Sequence, residues 1–322
     1  MATQNCFTSN QPTWCNLEND NNPAVAEGLW PELMRRVLAL LPVPQRLDWQ
    51  HHHAGAWMPG RWVSQLVGYG QTSAIALDDL LHIDSQKQAL AQNTQQFLAG
   101  LPANNALLWG ARGTGKSSLI QALLTQYAGN GLRMVEVNKD ALADLPLVIE
   151  QLSGQPYAFI VFCDDLSFEE DDPSYKSLKS VLEGSVLARA SNVLIYATSN
   201  RRHLLAEKAS DNAQSKLVDG ELHHGEAVEE KISLSDRFGL WLSFYPVRQQ
   251  EYLDMVDHAI KRLMDSQGQD IQEQPDFQHD HYRAEALRWA LARGVRNGRS
   301  AEHFARHWVG KTLLAANNIT NK

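Results

Sequence analysis

The chain has 322 residues, 43% of them hydrophobic, which is enough for about two domains with a substantial core. Its formal net charge of −8 argues against broad electrostatic attraction to nucleic acid or to an anionic membrane. The three cysteines, Cys6, Cys15 and Cys163, form no Cys-x-x-Cys pair, which argues against a disulfide framework or a zinc site and fits a reducing cytoplasm.

The first residues carry neither a basic region nor an apolar run, so no signal peptide is expected. No stretch of about 18 apolar residues exists, so no membrane insertion is expected either. Residues 1–23 are polar and rich in Asn and Gln. Residues 24–48 carry a helical pattern (Leu29, Leu33, Val37, Leu38, Leu41) closed by Pro42 and Pro44. His51, His52 and His53 follow; adjacent residues do not converge on one ion in a helix or strand, so they read as a solvated loop.

From residue 76 the pattern becomes regular. A loop leads into a helix marked by Gln88, Leu90, Asn93 and Phe97, ending near Gly100. Five strands are expected, at 106–109, 133–137, 159–163, 193–197 and 240–244, with helical segments between them. Their continuous apolar runs suit a parallel sheet covered on both faces. The polar span 206–231 reads as a mobile surface insertion. After Pro246 the strands stop, and helices are expected at 251–264, 281–293 and 300–316, with a loop at 265–280. The division expected is a polar N-terminal segment with a helical element (1–60), an α/β domain (61–246) and a small α-helical domain (247–322).

The most informative stretch is 107–118. Gly110, Gly115, Lys116 and Ser117 match Gly-x-x-x-x-Gly-Lys-[Ser/Thr] between an apolar strand and a helical pattern (Leu119, Ile120, Leu123, Leu124). That is the setting of a phosphate-binding P-loop. A glycine-rich turn would match by chance only rarely with both flanks correct. The loop and first helical turn (Gly110, Ala111, Arg112, Gly113, Thr114, Gly115, Lys116, Ser117, Ser118) would turn their N–H groups onto phosphate. Lys116 would neutralise the β- and γ-phosphates, and Ser117 would ligate Mg²⁺.

The third expected strand ends in Cys163-Asp164-Asp165. Alone this is an ordinary turn; beside a P-loop it is the acidic half of a nucleotide site. Asp164 would hold Mg²⁺, and Asp165 would orient and deprotonate a water. The fourth strand ends in a polar tip, from which Asn200, with Thr198 in reserve, would contact the γ-phosphate and the water. Before the fifth strand lies Ser235-Asp236-Arg237-Phe238-Gly239. Arg237 cannot easily reach its own phosphate there but could reach that of a neighbouring subunit. A surface Asp–Arg pair is the simpler alternative.

Together these residues resemble the AAA+ ATPases. More narrowly, the segments 84–88 (DSQKQ), 101–106 (LPANNA), 109–118 (WGARGTGKSS), 162–168 (FCDDLSF), 197–203 (ATSNRRH) and 235–241 (SDRFGLW) resemble a bacterial AAA+ ATP-binding family of unknown function. The likeness spans about residues 60–310. It implies a P-loop three-layer parallel sheet of order 5-1-4-3-2, followed by a helical lid. It implies a lid arginine on the γ-phosphate, Arg299 with Arg296 as alternative. It also implies a basic residue near 302, where this chain has Glu302. The segment Leu81, His82 and Ile83 would pack on adenine, or simply belong to the core. Many AAA+ proteins have Glu where this chain has Asp165, one methylene shorter.

The function implied is a Mg²⁺-dependent, cytoplasmic ATPase that forms a homo-oligomer, offers Arg237 to the next site and remodels a partner protein. Three alternatives stay open. One is a nucleic-acid-associated loader using Arg201, Arg202, Arg293, Arg296 and Arg299, which the acidic balance does not favour. The second is a P-loop kinase with 206–231 as its substrate lid. The third is a slow nucleotide switch.

Overall fold

The computed structural model describes residues 30–36, 47–61, 63–70, 75–168, 172–184, 190–202, 204, 216–218, 221–223, 234–268 and 279–320. The chain divides into two compact units, one of residues 1–44 with 61–63 and one of residues 45–60 with 64–322. In the first, residues 30–36 are helical, and Glu32 holds Arg35 and Arg36 at 2.8 and 2.9 Å. Leu33 falls within this helix; Leu29, Val37, Leu38 and Leu41 lie outside the described residues.

The second unit is built on a seven-stranded sheet. Its strands are β1 (Ala54–Met58), β2 (Gln65–Gly68), β3 (Ala106–Gly110), β4 (Leu132–Glu136), β5 (Ala158–Cys163), β6 (Val193–Ser199) and, after the pair β7 (Lys216–Val218) and β8 (Glu221–His223), β9 (Leu240–Phe244). The order is β2-β1-β4-β5-β6-β3-β9. Every neighbouring pair is parallel except β1 with β2. The five expected strands therefore lie in the expected order 5-1-4-3-2. The fold is of the expected class, with β1 and β2 added beyond β4.

Alternation along the strands builds two cores. Leu107, Val135, Phe159, Val161 and Ile195 face one side, with α3 (Leu145–Leu152) and α4 (Pro173–Leu182) over them. Ala106, Leu108, Ile160, Phe162 and Tyr196 face the other, under α1 (Asp84–Leu98) and α2 (Lys116–Tyr127). Burying strands on both faces is what the unbroken run AFIVFC of β5 anticipates. Each fully buried Leu, such as Leu107 and Leu108, contributes about 1.5–3 kcal/mol. Pro173 starts α4, and Asp172 caps it by accepting from Ser174 N at 3.0 Å.

A third core joins α5 (Gln249–Ser266), α6 (His279–Arg293) and α7 (Gly298–Thr320). Tyr252, Val256, Ile260 and Met264 of α5 pack with Tyr282, Phe304 and Trp308, the i, i+4 stripe of an amphipathic helix.

Two expectations need correction. The segment taken as the tail of an N-terminal region holds β1, so a boundary at residue 60 falls between two paired strands. The sequences AGAWM and QLVG are too short and small-residue-rich to announce themselves as strands. Gly55 is needed there, since a Cβ would lie 2.8 Å from Val67 O. The span 206–231, expected as loop, contains the antiparallel pair β7–β8, in register at Leu217 and Leu222; its remaining residues lie outside the described ones. Among the described residues no helix is long and apolar enough to cross a membrane.

Candidate nucleotide site

The strand ends β3, β5 and β6 meet α7 around a cleft of about 680 Å³. Such a position, outside the carboxyl ends of parallel strands, is where open α/β sheets bind ligands.

β3 runs into the loop through Gly110, whose φ is +132°. A Cβ there would lie 2.0 Å from Phe244 O, and the next amide, Ala111 N, donates to that same oxygen at 3.0 Å. Gly113 and Gly115 also have positive φ, +75° and +96°, which L-residues with a Cβ adopt at a cost. The chain then enters α2 at Lys116 with no side-chain cap. The first N–H groups of a helix have no partner within it and form an anion site.

Lys116 is 6% exposed. Its Nζ donates to Gly110 O at 2.9 Å, Ala111 O at 2.7 Å and Asn200 Oδ1 at 3.1 Å. Burial lowers its pKa from the ordinary lysine value, with Asp165 and Asp164 pulling the other way. Ser117 Oγ donates to Asp164 Oδ1 at 2.6 Å. Asp165, at φ +49°, accepts from Asn200 Nδ2. Asn200 therefore bridges Lys116 and Asp165. Thr198 Oγ1 donates to Asp164 Oδ1 at 2.5 Å and accepts from Asp165 N at 2.8 Å.

The fourth wall comes from α7. Asn297 caps this helix, Oδ1 accepting from Ser300 N at 2.8 Å, while its Nδ2 donates to Arg112 O at 2.9 Å. Gly298 N donates to Gly113 O at 3.1 Å. The glycine-rich loop and the start of α7 are thus stitched together, and Arg299 lines the cleft. Arg296 is exposed and does not line it.

Part of the wall is apolar: Ile75, Leu80, Leu81, Ile83 and Met255 line the cleft, with Ile83 and Leu80 beside Gly115. His82 turns away at φ +61°, and its Nε2 lies 3.2 Å from Asp254. Asp79 completes that end, with His258 at 3.1 Å and Arg262 at 3.5 Å. Burial would raise the Asp79 carboxyl, but the Ala76 N–H, His258 and Arg262 outweigh it and hold it below the ordinary value.

The structure therefore brings Lys116, Ser117, Asp164, Asp165, Asn200 and Arg299 to one cleft, with Arg112, Gly113, Thr114, Gly115, Ser118 and Ile83 on its walls. Gly110 and Ala111 contribute carbonyls to Lys116. Arg237 is elsewhere: it does not line the cleft and forms an ion pair with Glu183. Of the five arginines weighed as a basic surface, Arg202 lies over the Trp109 ring at 5.6 Å and Arg293 over Trp289 at 3.4 Å.

The model of a family described as "Protein of unknown function (DUF815)" matches residues 50–312. The chain belongs to that family. No curated protein matches it. Among solved structures it is similar to the RuvB Holliday junction branch migration motor of Thermotoga maritima, at 15% identity over 71% of this chain and 70% of that one, TM-score 0.39. It is also similar to the ORC1 protein of Aeropyrum pernix in complex with DNA, at 16% identity over 72% and 63%, TM-score 0.45. A third is C. elegans PCH-2, at 17% identity over 70% and 63%, TM-score 0.43.

Sequence reasoning missed Met255, His258 and Arg262 on α5 and Glu302, His303 and Arg306 on α7, which also line the cleft. The α7 set was within reach. Once Arg299 faces the cleft, residues three, four and seven positions on share its face. Glu302, in place of the basic residue implied by resemblance, bonds Arg262.

Proposed function

We propose that this chain is a Mg²⁺-dependent AAA+ ATPase that works as a homo-oligomer and couples ATP hydrolysis to the remodelling of a partner protein. The observation that carries this reading is the convergence on one cleft of buried Lys116, the Ser117–Asp164 pair, the Asn200–Asp165 pair and Arg299. A hydroxyl and a carboxylate oxygen are hard donors of the kind Mg²⁺ takes, with phosphate and water completing its sphere. Among the described residues no group of three or more His, Cys, Asp or Glu side chains is placed to hold a metal ion. Bound there, Mg²⁺ would neutralise charge on the β- and γ-phosphates.

The chain's own residues divide the remaining work. The N–H groups of the loop and of α2 bind the β-phosphate. Lys116 binds the β- and γ-oxygens. Asn200 orients the attacking water, and Asp165 accepts its proton as the oxygen bonds the γ-phosphorus and the bridge to ADP breaks. Arg299 stabilises the equatorial charge from α7. The apolar end of the cleft would take adenine. Arg237, remote from its own cleft, is assigned to the neighbouring subunit's site. Rotation of the α5–α7 layer against the sheet would transmit turnover.

A slow nucleotide switch is the second reading, favoured by the Arg237–Glu183 pair and by the shorter reach of Asp165. One experiment decides between them: ATPase rate per subunit against protein concentration for wild type, Lys116→Ala and Arg237→Ala. The motor reading expects specific activity to rise with concentration and to vanish with Lys116→Ala. It also expects Arg237→Ala to lose turnover while still binding nucleotide. A concentration-independent rate indifferent to Arg237 overturns the shared site.

A further inference from the structure

Thr198 is 1% exposed and touches three consecutive residues of the acidic turn. Its carbonyl accepts from Leu166 N at 2.7 Å, and its Oγ1 bonds Asp165 N at 2.8 Å and Asp164 Oδ1 at 2.5 Å. The direction of each bond is forced. Asp165 N can only donate, so the hydroxyl oxygen accepts there, and its single proton goes to the carboxylate. Asp164 Oδ1 then holds two hydroxyls, those of Thr198 and Ser117. Among the described residues no hydrogen bond reaches Asp164 Oδ2, and Asp164 lines the cleft.

The same hydroxyl bears on Asp165. This residue adopts φ +49°, a left-handed conformation that aspartate visits more readily than most residues with a Cβ but that surrounding bonds help to fix. The bonds from Thr198 to Asp165 N and Leu166 N do this. They turn the Asp165 carboxylate onto Asn200. We infer that Thr198 is the positioning residue of the site: one buried hydroxyl fixes the cation-facing acid, Asp164, and the turn that presents the water-activating acid, Asp165. It is not a phosphate contact. The inference rests on the proposed function and adds to it the group that sets the geometry of both acids.

The test separates positioning from mere packing. Valine has the shape of threonine without the hydroxyl; serine keeps the hydroxyl and loses a methyl. Binding of a fluorescent ADP analogue to the full chain is measured in excess Mg²⁺ and in EDTA for wild type, Thr198→Val, Thr198→Ser and Lys116→Ala. Single-turnover ATP hydrolysis is measured alongside.

Wild type and Thr198→Ser should bind more tightly with Mg²⁺ than without. Thr198→Val should keep the EDTA affinity within about twofold, because the phosphate loop is untouched, but lose about tenfold of the Mg²⁺-dependent gain and of single-turnover rate. Should Thr198→Val not melt cooperatively, Thr198→Ala reports the same loss. A valine or alanine variant with the full Mg²⁺-dependent gain overturns the inference alone, as does a serine variant as defective as valine. A wild-type chain that binds no nucleotide, or a Lys116→Ala variant that binds as well as wild type, overturns the functional reading and this inference with it.

Discussion

The stitch between the glycine-rich loop and α7 has a quantitative consequence. Gly113 sits at φ +75°, and a Cβ placed on it would lie 2.4 Å from Asn297 Nδ2. In Gly113→Ala the left-handed backbone costs about 1–2 kcal/mol. The methyl also evicts the Asn297 side chain. That side chain makes two bonds, one capping α7 through Ser300 N and one to Arg112 O. The cap is worth about 1 kcal/mol and the second bond about 1 kcal/mol. Gly113→Ala should therefore cost about 3–4 kcal/mol, and Asn297→Ala about 2 kcal/mol. The double variant cannot lose the Asn297 bonds twice. It should be about as unstable as Gly113→Ala alone, about 2 kcal/mol short of the additive sum. Urea unfolding of the nucleotide-free chain, followed by tryptophan fluorescence, measures all three. Additivity within about 0.5 kcal/mol would refute the stitch.

Three further outcomes are expected. Glu183→Gln releases Arg237 from a part-exposed ion pair worth up to about 1 kcal/mol. On the proposed function, the protein concentration giving half-maximal ATPase should fall up to about fivefold; an unchanged midpoint counts against Arg237 acting in the neighbouring site. Asp172 is held below the ordinary aspartate value of 3.8: burial pushes it up, but Lys139 and the Ser174 N–H outweigh burial. Its folded pKa being depressed, its contribution is complete above the unfolded value and lost as pH falls through the folded one. Asp172→Ala should therefore melt below wild type by about 1–2 kcal/mol near neutral pH, with the gap closing in acid; a gap independent of pH would refute this. Burial pushes the Cys163 thiol up to about 12. In a Cys6→Ser, Cys15→Ser background, iodoacetamide should label it only in denaturant, and labelling of the folded chain would contradict its burial.

How much of this was legible in the sequence follows from how local each signal is. Gly110, Gly115, Lys116 and Ser117 declare themselves because a strand, a loop and a helix N-terminus adjoin in the chain. Asp164, Asp165 and Asn200 follow because strand ends gather at one edge of a parallel sheet. The helices of residues 249–320 are legible from apolar spacing. β1 and β2 are not, because such short strands borrow their order from pairing, β1 with β4 and β2 with β1. Nor could His82 be placed, since a positive φ at a non-glycine residue is a tertiary outcome. The α5 wall of the cleft depends on how two helices pack, which no spacing within one of them encodes. Thr198 was visible as a polar strand tip. Its bond to Asp165 N, which distinguishes positioning from phosphate contact, exists only once β5 and β6 pair from Phe159–Val193 to Cys163–Ala197.

The arrangement around Lys116 then explains why binding and hydrolysis would be linked. An ammonium has three donors, and all three are occupied by Gly110 O, Ala111 O and Asn200 Oδ1. Phosphate must therefore displace acceptors, not fill a vacancy. It could, because an anionic oxygen adds charge–charge attraction to the hydrogen bond from the ammonium, which a neutral carbonyl does not. Burial lowers the Lys116 pKa from the ordinary lysine value, and an anionic phosphate beside it would favour the charged form. The acceptor most readily given up is the side-chain amide of Asn200, since the two carbonyls are fixed by the turn itself. Were Lys116 to leave Asn200 Oδ1, the amide would keep its Nδ2 bond to Asp165 and its oxygen could accept a hydrogen bond from a water. Arrival of phosphate at Lys116 would thus prepare the water site beside Asp165.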